Sequence, residues 1–202
     1  MARFILAVSA LFLCSVAVVQ ADEKPQLPTL SKITSDNQVP KQVQVIWRNG
    51  FEECTEKGID ASKELNGLKI SFKGEPAASG LYILACGGPG YNRPFVALSF
   101  DGKKQITQRV AFPIAGNAGI GTQFIIYNFV WDNSKRQISS FGKDRGLGDC
   151  GTKAIWRWAY PQFDSHFVLI NQRTKIDCDG KIENYPQVWP PKLWPPKALT
   201  LD

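Results

Sequence analysis

Short apolar segments, paired across turn signals, constrain the fold of this chain more than any other feature. Three such pairs are 95–100 with 106–112, 124–131 with 137–141, and 154–159 with 166–171. Asp101-Gly102, which favours tight hairpins, lies between the members of the first pair. This pattern predicts a mainly β protein of antiparallel sheets, arranged as a sandwich or a barrel, with little helix.

Further strands are predicted outside these pairs. Residues 68–72 alternate in polarity, and residues 81–86 form a short apolar run typical of a buried strand. Residues 43–47 also alternate, with Val43, Val45 and Trp47 on one side, and predict a first strand. A short helix is expected at 60–66, with Asp60 as its N-cap and Gly67 after its end.

The amino terminus has the pattern of a secretory signal peptide. A basic Arg3 precedes an apolar run, and small residues lead to a predicted cleavage between Ala21 and Asp22. We therefore expect residues 1–21 to be removed and the protein to be periplasmic or secreted. No other segment reaches the ~20 apolar residues of a membrane span. The polar, proline-containing segment 22–42 is interpreted as a flexible leader, and residues 43–202 as a single β-rich domain.

The charge of the exported chain narrows its partners. Of the 24 Lys and Arg residues, only Arg3 lies in the signal segment, so 23 cations face 18 carboxylates. A basic excess favours anionic surroundings, although it also aids solubility. We expect an anionic envelope component or a periplasmic protein as the partner. Nucleic acid is not expected, because the cations are scattered and export separates the protein from it.

Four cysteines remain after residue 21, namely Cys54, Cys86, Cys150 and Cys178. An even number in an exported chain predicts a disulfide framework. Three pairings are possible, and we favour Cys54–Cys86 with Cys150–Cys178. Zinc ligands come in close pairs such as Cys-x-x-Cys, which are absent from this sequence, so no metal site is predicted.

The carboxyl terminus contains two copies of Trp-Pro-Pro-Lys, beginning at Trp189 and Trp194. Such segments exclude helix and central strand and favour polyproline II geometry. We interpret this segment as a strap whose tryptophans pack on the sheet, because two tryptophans on a loose tail would leave apolar surface in water.

The segment 145–151 is the most distinctive motif. It spells Arg-Gly-Leu-Gly-Asp-Cys-Gly and matches the Gly-x-Gly-x-x-Gly pattern of dinucleotide sites. Those sites follow a buried strand and open a helix, whereas this motif follows Lys143 and contains a disulfide candidate, so no cofactor is predicted. We interpret it as a structural turn in which Asp149 pairs with Arg145 or accepts backbone N–H groups. The candidate functional or structural residues are Arg145, Gly146, Gly148, Asp149, Gly151, Trp156 and Trp158.

Several segments together resemble a known family. In order, these are Cys86-Gly-Gly-Pro-Gly-Tyr-Asn92, Trp131-Asp, Ser139-Ser-Phe, 142–151, Trp156-Arg-Trp158, Phe167-Val-Leu169, Cys178-Asp-Gly180 and Pro186-x-x-Trp189. The chain resembles the bacterial exported domain-of-unknown-function family numbered 1176 from about residue 43 to residue 194. The resemblance implies a protein of the Gram-negative envelope and brings no assigned activity.

No catalytic residue is predicted, and binding is expected rather than catalysis. The sequence favours a non-catalytic periplasmic binding or structural module. One alternative is an exported hydrolase that uses acids near Asp149 together with His166, which requires these residues to converge in a pocket. Another alternative is a secreted inhibitor of a host or rival enzyme, for which 87–93 is the best candidate for a protruding loop.

Overall fold

The computed structural model describes residues 27–51, 66–87, 90–159 and 166–190. These residues form one α-helix, a 3-10 turn at Asp36–Gln38, and thirteen strands. The helix is α1 (Lys41–Asn49), and the strands are β1 (Thr29–Ile33), β2 (Gly67–Ser71), β3 (Gly80–Ala85), β4 (Pro94–Asp101), β5 (Ile106–Arg109), β6 (Phe112–Gly116), β7 (Gly119–Gln123), β8 (Ile125–Tyr127), β9 (Val130–Asp132), β10 (Gln137–Lys143), β11 (Gly151–Ala159), β12 (His166–Lys175) and β13 (Gln187–Trp189).

The strands form two main sheets and a ribbon. One sheet has the order β1-β2-β3-β4-β5, with β8 also paired to β4, and the other has the order β13-β12-β11-β10-β9. The ribbon is β6-β7, and every pairing is antiparallel. The predicted mainly β, antiparallel fold with little helix is confirmed. No helix in the described ranges is long and apolar enough to cross a membrane.

The inward faces of the two sheets share one core. Ile83 and Ala97 of the six-stranded sheet and Trp156 and Phe167 of the five-stranded sheet belong to the same buried cluster. Phe112 of the ribbon stacks on Phe167 with ring centroids 4.7 Å apart. Apolar side chains therefore join the sheets face to face, as in a sandwich.

A second core covers the opposite face of the six-stranded sheet. Val43 and Trp47 of α1 are buried against residues such as Leu84 and Leu98, and Trp47 Nε1 donates to the Ala85 carbonyl at 2.9 Å. All six residues of β3 are buried, because its side chains alternate between the two cores. The five-stranded sheet packs against the first core through its inner face.

The strand predicted at 43–47 is wrong, since these residues lie in α1. Val43, Ile46 and Trp47 face the sheet at helical spacing, whereas Val45 is 57% exposed. Five residues fit both a two-residue and a 3.6-residue period, so the apolar pattern alone was ambiguous. Pro40 before the helix and Gly50 after it mark the correct boundaries.

Other local predictions have mixed outcomes. The hairpin β4-β5 and the hairpin β11-β12 are confirmed, although the strand expected at 106–112 ends at Arg109 and Phe112 begins β6. The strands predicted at 68–72 and 81–86 are also confirmed. The strand expected at 124–131 is split into β8 and β9, which join different sheets. The helix expected at 60–66 lies almost wholly outside the described residues.

The structure describes part of the predicted leader and part of the predicted strap. Residues 29–33 were placed in the flexible leader, but they form β1, which pairs with β2 through five residue pairs. This strand has few buried side chains, which is why its sequence lacks an apolar pattern. At the other end, Trp189 Nε1 donates to the Leu169 carbonyl at 3.0 Å, as a packed strap requires, and Trp194 lies outside the described residues.

Candidate binding surface

The motif 145–151 connects β10 to β11 at one end of the five-stranded sheet. The Gly148 N–H donates to the Arg145 carbonyl at 3.0 Å, and the Asp144 N–H donates to the Cys150 carbonyl at 3.3 Å. These bonds close a compact turn between two paired strands. The motif follows a strand but opens another strand, β11, so its surroundings differ from those of a dinucleotide site.

Asp149 is the centre of this turn, with its side chain fully buried. Arg145 Nε donates to Asp149 Oδ1 at 2.8 Å, and Arg145 Nη2 contacts Asp149 Oδ2. The Gly180 N–H donates to Asp149 Oδ2 at 2.6 Å, while Arg145 Nη2 donates to the Cys178 carbonyl at 2.8 Å. The Arg145 hydrogen bond, followed by that of Gly180, holds the pKa of the Asp149 carboxyl well below its usual range. The pair therefore ties two loops together.

Two glycines of the motif have backbone reasons to be glycine. Gly148 and Gly151 have φ angles of +70° and +126°. A Cβ on Gly151 would also lie 2.2 Å from the Gly142 carbonyl oxygen, which is the main chain of the neighbouring strand. Gly146 has neither property, and its nearest neighbour for a Cβ would be the Tyr91 ring at 3.7 Å.

A disulfide reinforces the same pair of loops. Cys150 and Cys178 are bonded, with their Cα atoms 4.9 Å apart. Cys86 is also disulfide-bonded, whereas Cys54, its favoured partner, lies outside the described residues, and their pairing stays a prediction. Since Cys150 is bonded, it is not a free thiol nucleophile in this state.

The two tryptophans after the motif face the core rather than solvent. Trp156 and Trp158 are 0% and 3% exposed, and Trp156 Nε1 donates to the Pro113 carbonyl at 2.6 Å. They share one face of β11, as their i, i+2 spacing predicts. The intervening Arg157 is exposed on the opposite face.

His166 and Asp149 do not converge. His166 pairs with Ala159 at the far end of β11, whereas Asp149 precedes Gly151 at the near end. Eight residues of extended strand separate these ends by about 26 Å. A hydrolase site that combines Asp149 with His166 is therefore excluded by the geometry.

The loop proposed for an inhibitor is tied to the sheet where it is described. The Lys143 N–H donates to Asn92 Oδ1 at 2.9 Å, and Asn128 Nδ2 donates to the Tyr91 carbonyl at 3.0 Å. Residues 88–89 lie outside the described part. In that part, no group of three or more His, Cys, Asp or Glu residues is placed to hold a metal ion.

The outward face of the five-stranded sheet carries a set of cations that we call the basic face: Lys143, Lys153, Arg157 and Arg173. Lys153 lies directly opposite Phe141 on β10 and Arg173 on β12. Lys143 and Arg157 alternate in register with Lys153 on the same face. Strands β10, β11 and β12 contain five Lys or Arg residues and no Asp or Glu.

These cations lack acidic partners among the described residues. The ion pairs found there involve none of the four, although Lys175, one row further along β12, is bound to Asp179. Lys153 Nζ lies 4.0 Å from the centre of the Tyr185 ring and 4.8 Å from that of Phe141. Aromatic rings position this ammonium without neutralising its charge.

An acidic loop borders the basic face beyond the end of β12. It lines a cavity of about 380 Å³ whose walls include Thr174, Lys175, Ile176, Asp177, Asp179, Lys181, Glu183, Asn184 and Pro186. The buried Lys175, at the end of β12, donates from Nζ to Asp179 Oδ1 and to the Lys181 carbonyl. Its ammonium group therefore has its hydrogen-bond partners within this loop. The sign of the surface charge therefore changes at this end of the sheet.

The basic face was not predicted from the sequence, because the predicted site was based on glycines, cysteines and tryptophans. A usable signal was present, since the segments 137–143, 151–159 and 166–175 contain no carboxylate in a chain with 18 of them. Alternation within β11 would have placed Lys153 and Arg157 on the face opposite Trp156 and Trp158. The cross-strand pairing with Arg173 required the register of the sheet.

Comparisons with known proteins agree with the sequence resemblance. A family model described as "Protein of unknown function (DUF1176)" matches residues 13–195. An uncharacterised Escherichia coli (strain K12) protein, YpfG, is 26% identical over 172 residues, covering 82% of this chain and 48% of the relative. The chain thus spans about half the length of that relative. No solved structure matches the chain.

Proposed function

We propose that this chain, which belongs to the DUF1176 family of proteins of unknown function, is an exported, non-catalytic module that binds an anionic component of the cell envelope. The observation that carries the proposal is the basic face, four cations on the outward side of a sheet that have no acidic partners among the described residues. Export is supported by the signal-peptide pattern of residues 1–21 and by the Cys150–Cys178 disulfide, a bond typical of oxidising compartments.

The charge arrangement has an energetic cost that a ligand would remove. Lys153 and Arg173 lie directly opposite each other on neighbouring strands, and like charges in that position destabilise a sheet. An anionic group placed between them would replace repulsion with two charge-assisted hydrogen bonds. Arginine also offers bidentate geometry to a phosphate or carboxylate.

The test is binding of the exported, disulfide-bonded chain to two anionic probes, fluorescent polygalacturonate and vesicles containing phosphatidylglycerol. The Lys153→Gln/Arg173→Gln double variant removes two charges from the basic face. The matched control, Lys103→Gln/Lys104→Gln, removes two charges from the β4-β5 turn. We expect the first variant to weaken binding to at least one probe by at least about tenfold, because each charge-assisted hydrogen bond contributes about 1.5–3 kcal/mol.

The control is expected to bind nearly as the unmodified chain does. Equal losses in the two variants would show that only net charge matters, and the proposal would then be wrong. Absence of binding to both probes at low ionic strength would also overturn it. The melting temperature of each variant is measured beside the affinity, so that misfolding is distinguished from loss of a contact.

A further inference from the structure

The cations of the basic face fall into two groups along the strand direction. Lys143, Lys153 and Arg173 lie near the motif end, and we call them the near group. Arg157 lies four residues beyond Lys153 on β11, a distance of about 13 Å along an extended strand. Because side chains stand roughly perpendicular to a sheet, each group is placed to contact its own phosphate or carboxylate.

The surface between the two groups is neutral and only partly exposed. Its middle row consists of Ser139, Ile155 and Asn171, which lie opposite one another on β10, β11 and β12. The exposed Val168 lies beside Arg157, and the Phe141 ring lies beside Lys153. This surface offers aromatic, hydroxyl, aliphatic and amide groups, which suit the alternating polar and apolar faces of sugars.

We infer that the anionic ligand is an extended polysaccharide that lies along β11, with one acidic group at the near group and another at Arg157. This inference rests on the proposed function and specifies its ligand class. The chain would follow the strand, because Lys153 of the near group and Arg157 both lie on β11, the central strand of the sheet. Two linked contacts make the second effectively intramolecular, so affinity rises with ligand length.

The acidic loop favours a polymer over a membrane surface. Asp177 and Glu183 follow the near group beyond the end of β12, beside Asp179, which is paired with Lys175, so the basic stripe ends there. A broad anionic bilayer approaching this face would also meet these carboxylates and be repelled. A narrow chain lying along the stripe avoids them.

The experiment measures affinities for a length series of oligogalacturonates, from the single sugar to an octamer, with malto-oligosaccharides as uncharged comparators. It uses the exported chain and the variants Lys153→Gln, Arg157→Gln and, as a matched control, Lys104→Gln. We expect the octamer to bind the unmodified chain at least about tenfold more tightly than the single sugar does. Lys153→Gln should weaken every charged ligand, and Arg157→Gln should remove about tenfold from the octamer alone.

Several results would overturn this inference. They are equal affinity for all lengths, a loss with Arg157→Gln that is the same for the single sugar and the octamer, or malto-oligosaccharide binding as tight as that of the charged series. Binding to phosphatidylglycerol vesicles but not to oligogalacturonates would also overturn it, while leaving the proposed function intact. If no anionic probe binds, the proposed function fails together with the inference.

Discussion

The outward faces of the two main sheets differ in what covers them. On the six-stranded sheet, α1 buries Val43 and Trp47 against β3 and β4, and the face becomes a second core. On the five-stranded sheet, the outward face carries Lys143, Lys153, Arg157 and Arg173. The six-stranded sheet is held by apolar burial on both sides, and the five-stranded sheet by apolar burial on its inner face together with an ion pair and a disulfide at one end.

The comparison shows how one chain separates stability from surface chemistry. The six-stranded sheet gains from two buried faces, because β3 and β4 contribute side chains to both cores. A disulfide at Cys86, directly after β3, adds to this. The five-stranded sheet gains less from its outward face, where the buried Tyr185 packs on Phe141, and the Asp149 and Cys150–Cys178 contacts fasten its loops. Its free face is then available for charges that would destabilise a core.

The largest expected effect on stability comes from weakening the packing of α1 on the six-stranded sheet. Trp47→Ala should lower the free energy of unfolding by about 3–5 kcal/mol, because it removes a buried ring and the hydrogen bond to the Ala85 carbonyl. Val45→Ala, on the exposed side of the same helix, should change it by less than about 0.5 kcal/mol. Urea titration followed by circular dichroism measures both, and equal effects would show that α1 does not act as a cover.

The next effect comes from loosening the end of the open sheet. Asp149→Ala leaves the Gly180 N–H without its acceptor and releases Arg145 from the turn. We expect poor folding yield and a melting temperature lower by roughly 5–10 °C. Asp144→Ala, an exposed acid in the same turn, serves as the control in differential scanning calorimetry. A soluble Asp149→Ala protein with an unchanged melting temperature would contradict this assignment.

Low pH should weaken the contacts that Asp149 makes with Arg145 and Gly180. Because the pKa of Asp149 is lowered in the folded protein, its contribution is fully present above the unfolded pKa of about 4. The contribution is lost as the pH falls from about 4 toward the lower folded pKa. The difference in melting temperature between the unmodified chain and Asp149→Asn should therefore be largest near pH 7 and shrink toward pH 2. A difference that stays constant over this range would exclude an ionised Asp149.

The smallest effect on stability is expected on the basic face itself. Lys153→Gln/Arg173→Gln should leave the free energy of unfolding within about 0.5 kcal/mol, or raise it slightly, because two opposed like charges are removed. High salt should reduce any gain, since it screens the repulsion. Chemical denaturation at low and high ionic strength provides the measurement. A loss of several kcal/mol would instead make these cations part of the structural framework.

Two sequence predictions illustrate how far local pattern reaches. The β11-β12 hairpin was predicted correctly because the apolar segments 154–159 and 166–171 are separated by the turn residues of 160–164. The strand at 43–47 was wrong because its five residues fit either period, and only the face of β3 and β4 that needed covering decided for helix. Likewise, nothing local shows that 124–131 divides between two sheets.

The features of the candidate site likewise divide into those that the sequence determined and those that only the tertiary structure decided. The sequence alone determined that the chain is β-rich, that Cys150 and Cys178 are suitable partners, and that Asp149 and Arg145 lie within reach in a glycine turn, since these depend on short-range spacing. Only the tertiary structure decided that Lys153 faces Arg173, that His166 lies far from Asp149, and that Arg157 and Arg173 are exposed on the outward face of their sheet. Those facts depend on strand register and on which face meets a second layer, and both are set by packing between residues distant in the chain.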